Sequence, residues 1–419
     1  MRRRCFGLDV HREFAQVAVW EDGLVRQEGQ IATTPEALRV FADSLGPGDE
    51  VALEATGNTS AIAALLAQTA GRVVVSNPRK TRAIAEAKVK TDKVDAAILA
   101  QLLAADFLPP VWMPDEATNV LRRQVARRTL LVRQRTRLKN QIHAILHRNL
   151  VPRCPASDMF GRKGRQWLAE QPLPPDEQAA LTALLRQLDF HGEELAAVET
   201  DLARIALTSP EVARLMTVPG IDAMIALSLL AAIGDFGRFQ TGEKMVAYLG
   251  LHPKVKQSGG APASHGRITK QGRAQARGMM VEAAWSAAQV PGPLRAFYQR
   301  VARRRGMQIA VVALARKMTV LCWHLVVHEQ DYAFAKPSLV AKKQRALELK
   351  AGLPPRRGRK GAAAAYSLKQ VRAAEAHAAL QAEAAYRVLT DRWQPARPER
   401  RASAPAEHGG VLAGVQATA

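Results

Sequence analysis

The order of β-rich and helical segments in the first 110 residues restricts the fold more than any other feature of this 419-residue chain. Three β-rich runs, CFGLDV, FAQVAVW and LVRQEGQIA, follow one another with only short turns between them, which is the order of consecutive hairpins. Two further short apolar runs, EVALEA and RVVVSNP, are instead separated by helical patterns. Hairpins followed by helix-connected strands predict a mixed sheet.

This order of segments is typical of an RNase H-like α/β domain, which we place at residues 1–110. A Rossmann domain is disfavoured, because no GxGxxG motif follows the first strand. A short stretch containing Pro109, Pro110 and Pro114 ends the domain.

Two long helical patterns follow, and we assign them to a coiled-coil region at residues 115–208. The first, residues 121–150, carries nine basic residues and no acid. The second, residues 177–207, has two sets of mostly apolar positions that repeat every seven residues, which predicts a helical hairpin or coiled coil. An ordinary amphipathic helix packed on its own domain is the alternative. The two sets are Leu181, Leu188, Leu195 and Leu202, and Leu184, His191, Val198 and Ile205.

Pro210 ends that pattern, and a mainly α-helical domain is predicted at residues 209–335. Within it, VPGIDAMIALSLLAAIG indicates a tight turn at Pro219 and Gly220 followed by an apolar helix. This looks like a helix-hairpin-helix, whose turn amides can hold a phosphate, and a plain helical hairpin is the alternative. Residues 336–419 are rich in Pro, Arg, Gly and Ala, which predicts a basic, largely flexible extension with a short helix near 368–392.

Positive charge is concentrated in the second half of the chain, whose formal net charge is +22. Residues 1–115 hold 13 basic and 15 acidic side chains, whereas residues 244–335 hold 14 basic and three acidic ones. A near-neutral N-terminal domain joined to a strongly basic body favours a polyanionic partner, with nucleic acid as the leading candidate. A basic ribosome-associated protein is the alternative.

Cysteine usage and hydropathy favour a cytosolic protein over a zinc-binding, secreted or membrane protein. The three cysteines are far apart and form no CxxC motif, which fits a reducing cytosol and argues against a structural zinc site. The N-terminus lacks the apolar segment of a signal peptide. The longest apolar stretch, residues 307–327, has Arg316 and Lys317 at its centre, so it is expected to be a packed helix of a cytoplasmic protein without a membrane segment.

Four acidic residues of the N-terminal domain are candidate metal ligands. Asp9 lies inside the first apolar strand and Glu54 ends the strand VALE, while Asp92 and Asp95 are three residues apart and share one helical face. Carboxylates that converge from different elements repel one another unless a divalent cation neutralises them. Two such cations can polarise a phosphodiester. The alternative for each acid taken alone is an ordinary structural role at the end of a strand or at a helix cap.

Several blocks resemble the DEDD transposases of the insertion-sequence one-ten family, over residues 5–330. The blocks are GLDVHRE, LEATGN, KTDKVDAAILAQLL, FLPPVWMP, VPGIDAMIALSLLAAIGDFGRF, VAYLGLHPKVKQSGG and GRITKQGRAQARGMMVEAAW. The resemblance implies a RuvC-like N-terminal domain whose catalytic tetrad, Asp9, Glu54, Asp92 and Asp95, holds Mg²⁺ or Mn²⁺. It also implies a recombinase that is guided by a structured RNA from the element itself and acts on double-stranded donor and target DNA.

The resemblance further implies that Ser258, in HPKVKQSGG, is the nucleophile. A serine hydroxyl needs an acceptor for its proton and cations for the charge that develops on phosphorus, and a metal-bound acidic cluster supplies both once a composite site assembles. The family often has two serines before the glycine, whereas this chain has Gln257 in the first position. Ser264 is therefore the alternative nucleophile, and the glycines that follow Ser258 favour Ser258.

Basic side chains of the second half are candidate contacts to a nucleic-acid backbone. The stretch 244–316 contains a single acid, Glu282. Lys270, Arg273 and Arg277 are spaced three and four residues apart, which predicts one face of a helix aimed at a backbone. The full set of candidates is Lys254, Lys256, Arg267, Lys270, Arg273, Arg277, Arg122, Arg123, Arg127, Arg128, Arg303 and Arg304.

Two rival functions stay open at the level of the sequence. A RuvC-like structure-specific DNA endonuclease that uses water needs the tetrad but not Ser258. A non-enzymatic, basic nucleic-acid-binding protein needs neither. Strand exchange and the heptad repeat favour a homodimer or tetramer, and the expected place of action is the bacterial cytoplasm, at the nucleoid.

Overall fold

The computed structural model describes residues 3–85, 91–257, 263–354 and 368–392. The chain divides into two units, residues 1–116 and 117–419. The first unit is α/β and the second is mainly helical, which confirms the predicted order of fold classes along the chain.

A five-stranded mixed sheet forms the centre of the first unit. Its strands are β1 (Cys5–Val10), β2 (Phe14–Glu21), β3 (Leu24–Ala32), β4 (Glu50–Glu54) and β5 (Arg72–Ser76). They lie in the order β3-β2-β1-β4-β5. The first three strands pair antiparallel, whereas β1 pairs with β4 and β4 with β5 in parallel. The mixed sheet predicted from the element order is thus confirmed, and it is compatible with an RNase H-like fold.

Helices cover both faces of this sheet. They are α1 (Pro35–Asp43), α2 (Thr59–Leu66), α3 (Pro78–Ile84) and α4 (Asp92–Ala104). Because successive side chains of a strand point to opposite faces, Leu8 packs in the cluster that contains Leu38 and Ile62, while Cys5 packs in the cluster that contains Leu99 of α4. Burial on both faces explains why β1, β2, β4 and β5 are nearly continuous apolar runs, whereas the edge strand β3 is polar and exposed.

The close packing of α4 against β1 depends on Gly7. A Cβ atom at this position would lie 2.1 Å from the carbonyl oxygen of Ala96 and 2.5 Å from the amide nitrogen of Ala100. Only glycine lets the helix approach the strand this closely. Thr91 begins the helix by accepting a 3.3 Å hydrogen bond from the Val94 amide, which places Asp92 in the first helical turn.

Two long antiparallel helices open the second unit. They are α5 (Glu116–Arg148) and α7 (Pro175–Thr208), connected through α6 (Arg162–Ala169). Arg148 pairs with Glu177 at one end, and Arg127 pairs with Glu194 further along, so the two helices run in opposite directions. All four leucines of the first heptad set are buried within the chain. The repeat therefore serves an intramolecular helix pair and no longer argues for a dimer.

The remaining helices share one hydrophobic core with the inner ends of α5 and α7. They are α8 (Pro210–Met216), α9 (Ala223–Ile233), α10 (Gly242–Tyr248), α11 (Ala274–Ala287), α12 (Pro293–Arg305) and α13 (Met307–Val327), with a hairpin of β6 (Pro253–Lys256) and β7 (Ser264–Ile268). Among the described residues α13 is the one helix long and apolar enough to cross a membrane. It packs against α10, α11 and α12, with Leu314, Met318 and Cys322 buried, which is the position of a core helix.

The segment after residue 336 contains the helix predicted near 368–392, but a further helix occupies part of the predicted flexible extension. It forms α14 (Pro337–Lys350), which packs on α7, and α15 (Lys369–Arg392), which packs on α12. Leu347 and Glu383 are buried there, at 4% and 3% exposure. The basic, alanine-rich composition concealed these few anchoring contacts. Residues 355–367 and 393–419 lie outside the described residues, and their flexibility stays a prediction.

Helices α8 and α9 flank the turn predicted at Pro219 and Gly220, and a helix-hairpin-helix at this place stays a prediction. Gly220 has a φ of +84°, and a Cβ atom there would lie 2.2 Å from the carbonyl oxygen of Ala283 in α11. The turn therefore packs closely on α11, and glycine is required by both the backbone conformation and the close approach. Phosphate binding by the turn amides stays a prediction.

Candidate active site

Three of the four predicted acids meet where β1, β4 and α4 end or begin at one edge of the sheet. Asp9 is the penultimate residue of β1 and Glu54 the last residue of β4. Because these strands are parallel neighbours, with Leu8 paired to Leu53, their carboxyl ends lie side by side. Together with Asp95 from the first turn of α4, they line one cavity of about 350 Å³.

The fourth acid, Asp92, reaches the same cluster through His11. The Nε2 atom of His11 lies 3.3 Å from Oδ2 of Asp9 and 3.3 Å from Oδ2 of Asp92. One ligand atom from each of these three side chains falls within 4.8 Å of the others. Helix capping does not account for Asp92, because Thr91 caps α4.

Asp9 occupies an environment that disfavours its negative charge. Burial raises the pKa of this carboxyl, His11 opposes the rise, and the neighbouring carboxylates of Asp95 and Asp92 add to it. Desolvation combined with convergent like charges is typical of a site that binds a cation or transfers a proton.

Two glutamines hold the start of α4 against the sheet. The buried Gln16, which pairs with Asp9 across β1 and β2, donates from Nε2 to Oε1 of Gln27 at 3.0 Å. Gln27 in turn donates to the backbone oxygen of Lys93 at 3.0 Å, next to Asp92. Sequence reasoning missed this pair, although a polar residue such as Gln16 in the middle of an apolar strand was an available signal.

The donor set of this cluster fits a divalent cation. Carboxylate oxygens are the ligands that Mg²⁺ and Mn²⁺ prefer, and a cation relieves the repulsion between the cavity acids. The buried Nε2 of His11 has no hydrogen-bond partner among the described residues. Arg79 and Arg82 of α3 line the same cavity, so positive charge is present where a phosphate can approach the acids.

The predicted nucleophile, Ser258, lies outside the described residues, between β6 and β7 in the sequence. The alternative, Ser264, is exposed on β7, where it pairs with Lys256. Lys254 and Arg267 are likewise exposed on this hairpin. The roles of these serines and cations stay predictions.

The prediction that Lys270, Arg273 and Arg277 share one helical face is wrong. Helix α11 begins only after Gly272, whose φ is +99°, and Lys270 itself has a φ of +56°. Residues in this left-handed region interrupt the helical spacing. Arg277 donates to the backbone oxygens of Leu249 and Lys270 at 3.1 and 3.2 Å, whereas Lys270 and Arg273 are exposed.

Contacts within the chain involve Arg122, Arg127 and Arg128 of α5. Arg122 donates to the backbone oxygens of Ala231 and Ala232 at 2.7 and 3.1 Å, in the last turn of α9. Arg127 and Arg128 each pair with a glutamate of α7. Arg123, Arg303 and Arg304 are exposed, and their contacts to nucleic acid stay predictions.

Comparison with known proteins gives matches on both units. A DEDD transposase model of IS110 matches residues 6–150, and the transposase model described as the IS116/IS110/IS902 family matches residues 212–299.

Curated relatives extend over the same regions. The y4qE protein of Sinorhizobium fredii is 31% identical over 205 residues, which are 48% of this chain and 48% of the relative. The transposase for insertion sequence element IS1111A of Coxiella burnetii is 25% identical over 249 residues, covering 58% of this chain and 68% of the relative. The corresponding transposase of IS1328 from Yersinia enterocolitica is 26% identical over 293 residues, covering 68% and 85%. The chain thus spans about half the length of the first of these relatives and more of the other two.

One family match contains the acidic cluster of the first unit, and the other lies in the basic second unit. Together the two matches and the relatives confirm the family that the sequence blocks resemble. The chain belongs to the IS110 (insertion-sequence one-ten) family of DEDD transposases.

Proposed function

We propose that this transposase cuts and rejoins DNA through a phosphoserine intermediate at Ser258, assisted by Mg²⁺ or Mn²⁺ at the acidic cluster and guided by a structured RNA. The observation that carries the metal-dependent part is the convergence of Asp9, Glu54 and Asp95 on one cavity, with Asp92 held nearby through His11. The excess of basic side chains in residues 244–335 supports double-stranded donor and target DNA and a guide RNA as partners. Exchange between two DNA duplexes favours an assembly of two or four copies, acting on DNA in the bacterial cytoplasm.

The proposed reaction conserves the energy of the phosphodiester. The Oγ atom of Ser258 bonds to the scissile phosphorus and gives its proton to a carboxylate of the cluster. The bond from that phosphorus to its bridging deoxyribose oxygen breaks, and this oxygen leaves with a proton. A divalent cation held by Asp9, Glu54, Asp92 and Asp95 would supply positive charge for the pentacovalent transition state. Attack on the phosphoserine by another deoxyribose hydroxyl restores a phosphodiester and frees the serine, so no external energy source is needed.

Trapping the intermediate tests the nucleophile. Protein, guide RNA, Mg²⁺ and a nicked, labelled DNA should give a protease-sensitive protein–DNA adduct, which Ser258→Ala abolishes and Ser264→Ala does not. Mass spectrometry should place the nucleotide on Ser258. A nucleotide on Ser264 would move the nucleophile to that residue.

The same assay separates the two rival functions. Normal cleavage by Ser258→Ala without an adduct in either protein would favour a RuvC-like endonuclease that uses water. Binding of nucleic acid with no cleavage by the wild-type protein would favour a non-enzymatic nucleic-acid-binding protein. Asp9→Ala and Asp95→Ala should abolish cleavage and spare RNA binding, with Asp43→Asn, at the exposed end of α1, as the control. Wild-type cleavage by either Ala variant at saturating Mg²⁺ would remove the metal-dependent mechanism.

A further inference from the structure

The imidazole of His11 faces two candidate metal ligands without making a regular hydrogen bond to either. Its Nε2 atom lies 3.3 Å from both Asp9 Oδ2 and Asp92 Oδ2, which is longer than the 2.7–2.9 Å or so of charge-assisted hydrogen bonds. The same nitrogen is buried and has no hydrogen-bond partner among the residues that the structure describes. Nε2 therefore faces both carboxylates as a nitrogen that no regular hydrogen bond occupies among the described residues.

We propose that His11 is a metal ligand, and that Asp9, His11 and Asp92 hold one divalent cation through Nε2 and one oxygen of each carboxylate. This inference rests on the proposed metal-dependent function and deepens it by adding a nitrogen donor. Oxygen and nitrogen ligands bind divalent cations at about 2.0–2.4 Å, so donors on opposite sides of one ion are at most about 4.8 Å apart. The three donor atoms of this group fall within 4.8 Å of one another.

The backbone holds His11 where a ligand is needed. His11 comes two residues after Asp9, so the two side chains project to the same side of an extended chain. Its backbone N–H donates a 2.8 Å hydrogen bond to the carbonyl oxygen of Phe14, in the turn that joins β1 and β2. The imidazole also packs on the Phe14 ring, with 4.8 Å between the ring centroids. A ligand fixed in this way binds without a large loss of side-chain entropy.

A nitrogen donor changes which cations the site prefers. Mg²⁺ and Mn²⁺ both favour oxygen ligands, but Mn²⁺, as a transition metal, accepts an imidazole nitrogen more readily than Mg²⁺ does. Removal of His11 should therefore weaken binding of Mn²⁺ more than binding of Mg²⁺.

The test is pulsed electron paramagnetic resonance of Mn²⁺ bound to the full-length protein. The wild-type protein and His147→Ala, a control at an exposed histidine of α5, should both show ¹⁴N coupling from a coordinated imidazole. His11→Ala and His11→Asn should lose this coupling and bind Mn²⁺ roughly 10- to 100-fold more weakly. Thermal unfolding of the metal-free variants checks that they fold.

Each contrary result has a distinct meaning. Bound Mn²⁺ without ¹⁴N coupling in the wild-type protein, together with normal cleavage, would overturn the role of His11 and leave the proposed function in place. Coupling that persists in both folded His11 variants would do the same. Absence of Mn²⁺ and Mg²⁺ binding, together with absence of cleavage, would overturn both the inference and the metal-dependent function.

Discussion

The Nζ atom of Lys343 lies 2.8 Å from the carbonyl oxygen of Val218, in the turn between α8 and α9. The same ammonium group donates to the carbonyl oxygens of Met216 and Ile221, at 2.7 and 2.8 Å. Carbonyl groups at the end of a helix and in a tight turn lack partners in the helix itself. A lysine of α14 thus completes the helical hairpin that lies within the second family match.

Replacing Lys343 by Met should destabilise the second unit. The change keeps most of the apolar stem but leaves three carbonyl groups without their donor, so the free energy of unfolding should fall by about 2 kcal/mol. Lys342→Met, at the exposed neighbouring position, should change it by no more than about 0.5 kcal/mol. Urea unfolding of the three proteins measures the difference, and equal effects of the two substitutions would contradict the role of the ammonium group.

Gly7→Ala should disturb the acidic cluster without touching an acid. The added methyl group would collide with the backbone of α4, which must move away from β1, at a cost of roughly 1–3 kcal/mol in stability. Because Asp92 and Asp95 are carried by this helix, DNA cleavage should fall steeply as well.

The matched control is Gly192→Ala in α7. A Cβ atom there meets nothing within 4 Å, so alanine should stabilise the helix by about 1 kcal/mol. Thermal unfolding and the cleavage assay on both variants are the measurements. A Gly7→Ala protein as stable and as active as the wild type would show that α4 does not pack on β1 as described.

Glu383 should make the docking of α15 on α12 sensitive to acid. Burial raises the pKa of Glu383, but hydrogen bonds from Arg295 Nε and the Gly292 amide, at 2.8 and 3.0 Å, outweigh it and leave the pKa below its ordinary value of 4.5. Near pH 4 the unfolded chain therefore binds more protons than the folded one at this group. The stabilisation is fully present above about pH 4.5 and is lost as the pH falls through the folded-state pKa.

The loss in free energy of unfolding caused by Glu383→Gln should depend on pH, whereas that of a control variant should not. Glu383→Gln leaves the half-buried Arg295 without its charged partner and should cost about 1–3 kcal/mol at pH 7 and less in acid. Glu282→Gln, at an exposed position of α11, should have little effect at either pH. Urea unfolding at pH 7 and pH 4 decides, and a deficit for Glu383→Gln that does not shrink in acid would contradict the assignment.

Patterns that depend on neighbouring residues predicted much of the fold. The spacing of β-rich and helical runs was enough to predict the mixed sheet and the two long helices. The adjacency of Asp9 and Glu54 depends instead on the parallel pairing of β1 with β4, two strands that β2, β3 and α1 separate in the sequence.

Contacts between distant residues were beyond such patterns. Composition indicated a flexible C-terminal extension, but Lys343 and Glu383 anchor α14 and α15 through partners 88 to 127 residues away. Spacing alone also placed Lys270 and Arg273 on a helix, whereas a left-handed backbone before α11 depends on close packing around Gly272. The approach of His11 to Asp92 was likewise beyond such patterns, because it arises only when α4 lies against β1.

Arg122→Ala should affect stability and not the salt dependence of DNA binding. Its guanidinium satisfies two carbonyl groups in the last turn of α9, so the free energy of unfolding should fall by roughly 1–3 kcal/mol. Arg133→Ala, at an exposed position of the same helix, should leave stability unchanged. Binding to DNA over a range of salt concentrations is the second measurement. A slope that falls by about 0.9 in Arg122→Ala would restore Arg122 as a phosphate contact.

Asp9→Asn should raise the stability of the metal-free protein and abolish DNA cleavage. Burial and the neighbouring carboxylates of Asp92 and Asp95 disfavour a charge at Asp9, so a neutral side chain of the same shape should raise the melting temperature of the metal-free protein. Asp9 belongs both to the proposed acidic tetrad and to the proposed group of Asp9, His11 and Asp92. The substitution therefore removes a ligand from each, and cleavage should be lost.

Melting temperatures with and without Mn²⁺ test this prediction. In the wild-type protein, Mn²⁺ at about 100 times its Kd should stabilise the folded state by about 2.7 kcal/mol, because only the folded chain assembles the site. Asp9→Asn should start from a higher melting temperature and gain little on adding Mn²⁺, whereas Asp43→Asn should behave as the wild type. A metal-free Asp9→Asn protein that melts below the wild type, and is still stabilised by Mn²⁺, would mean that Asp9 is a structural partner of His11. In that case the cation would have to be held by other acids of the cluster.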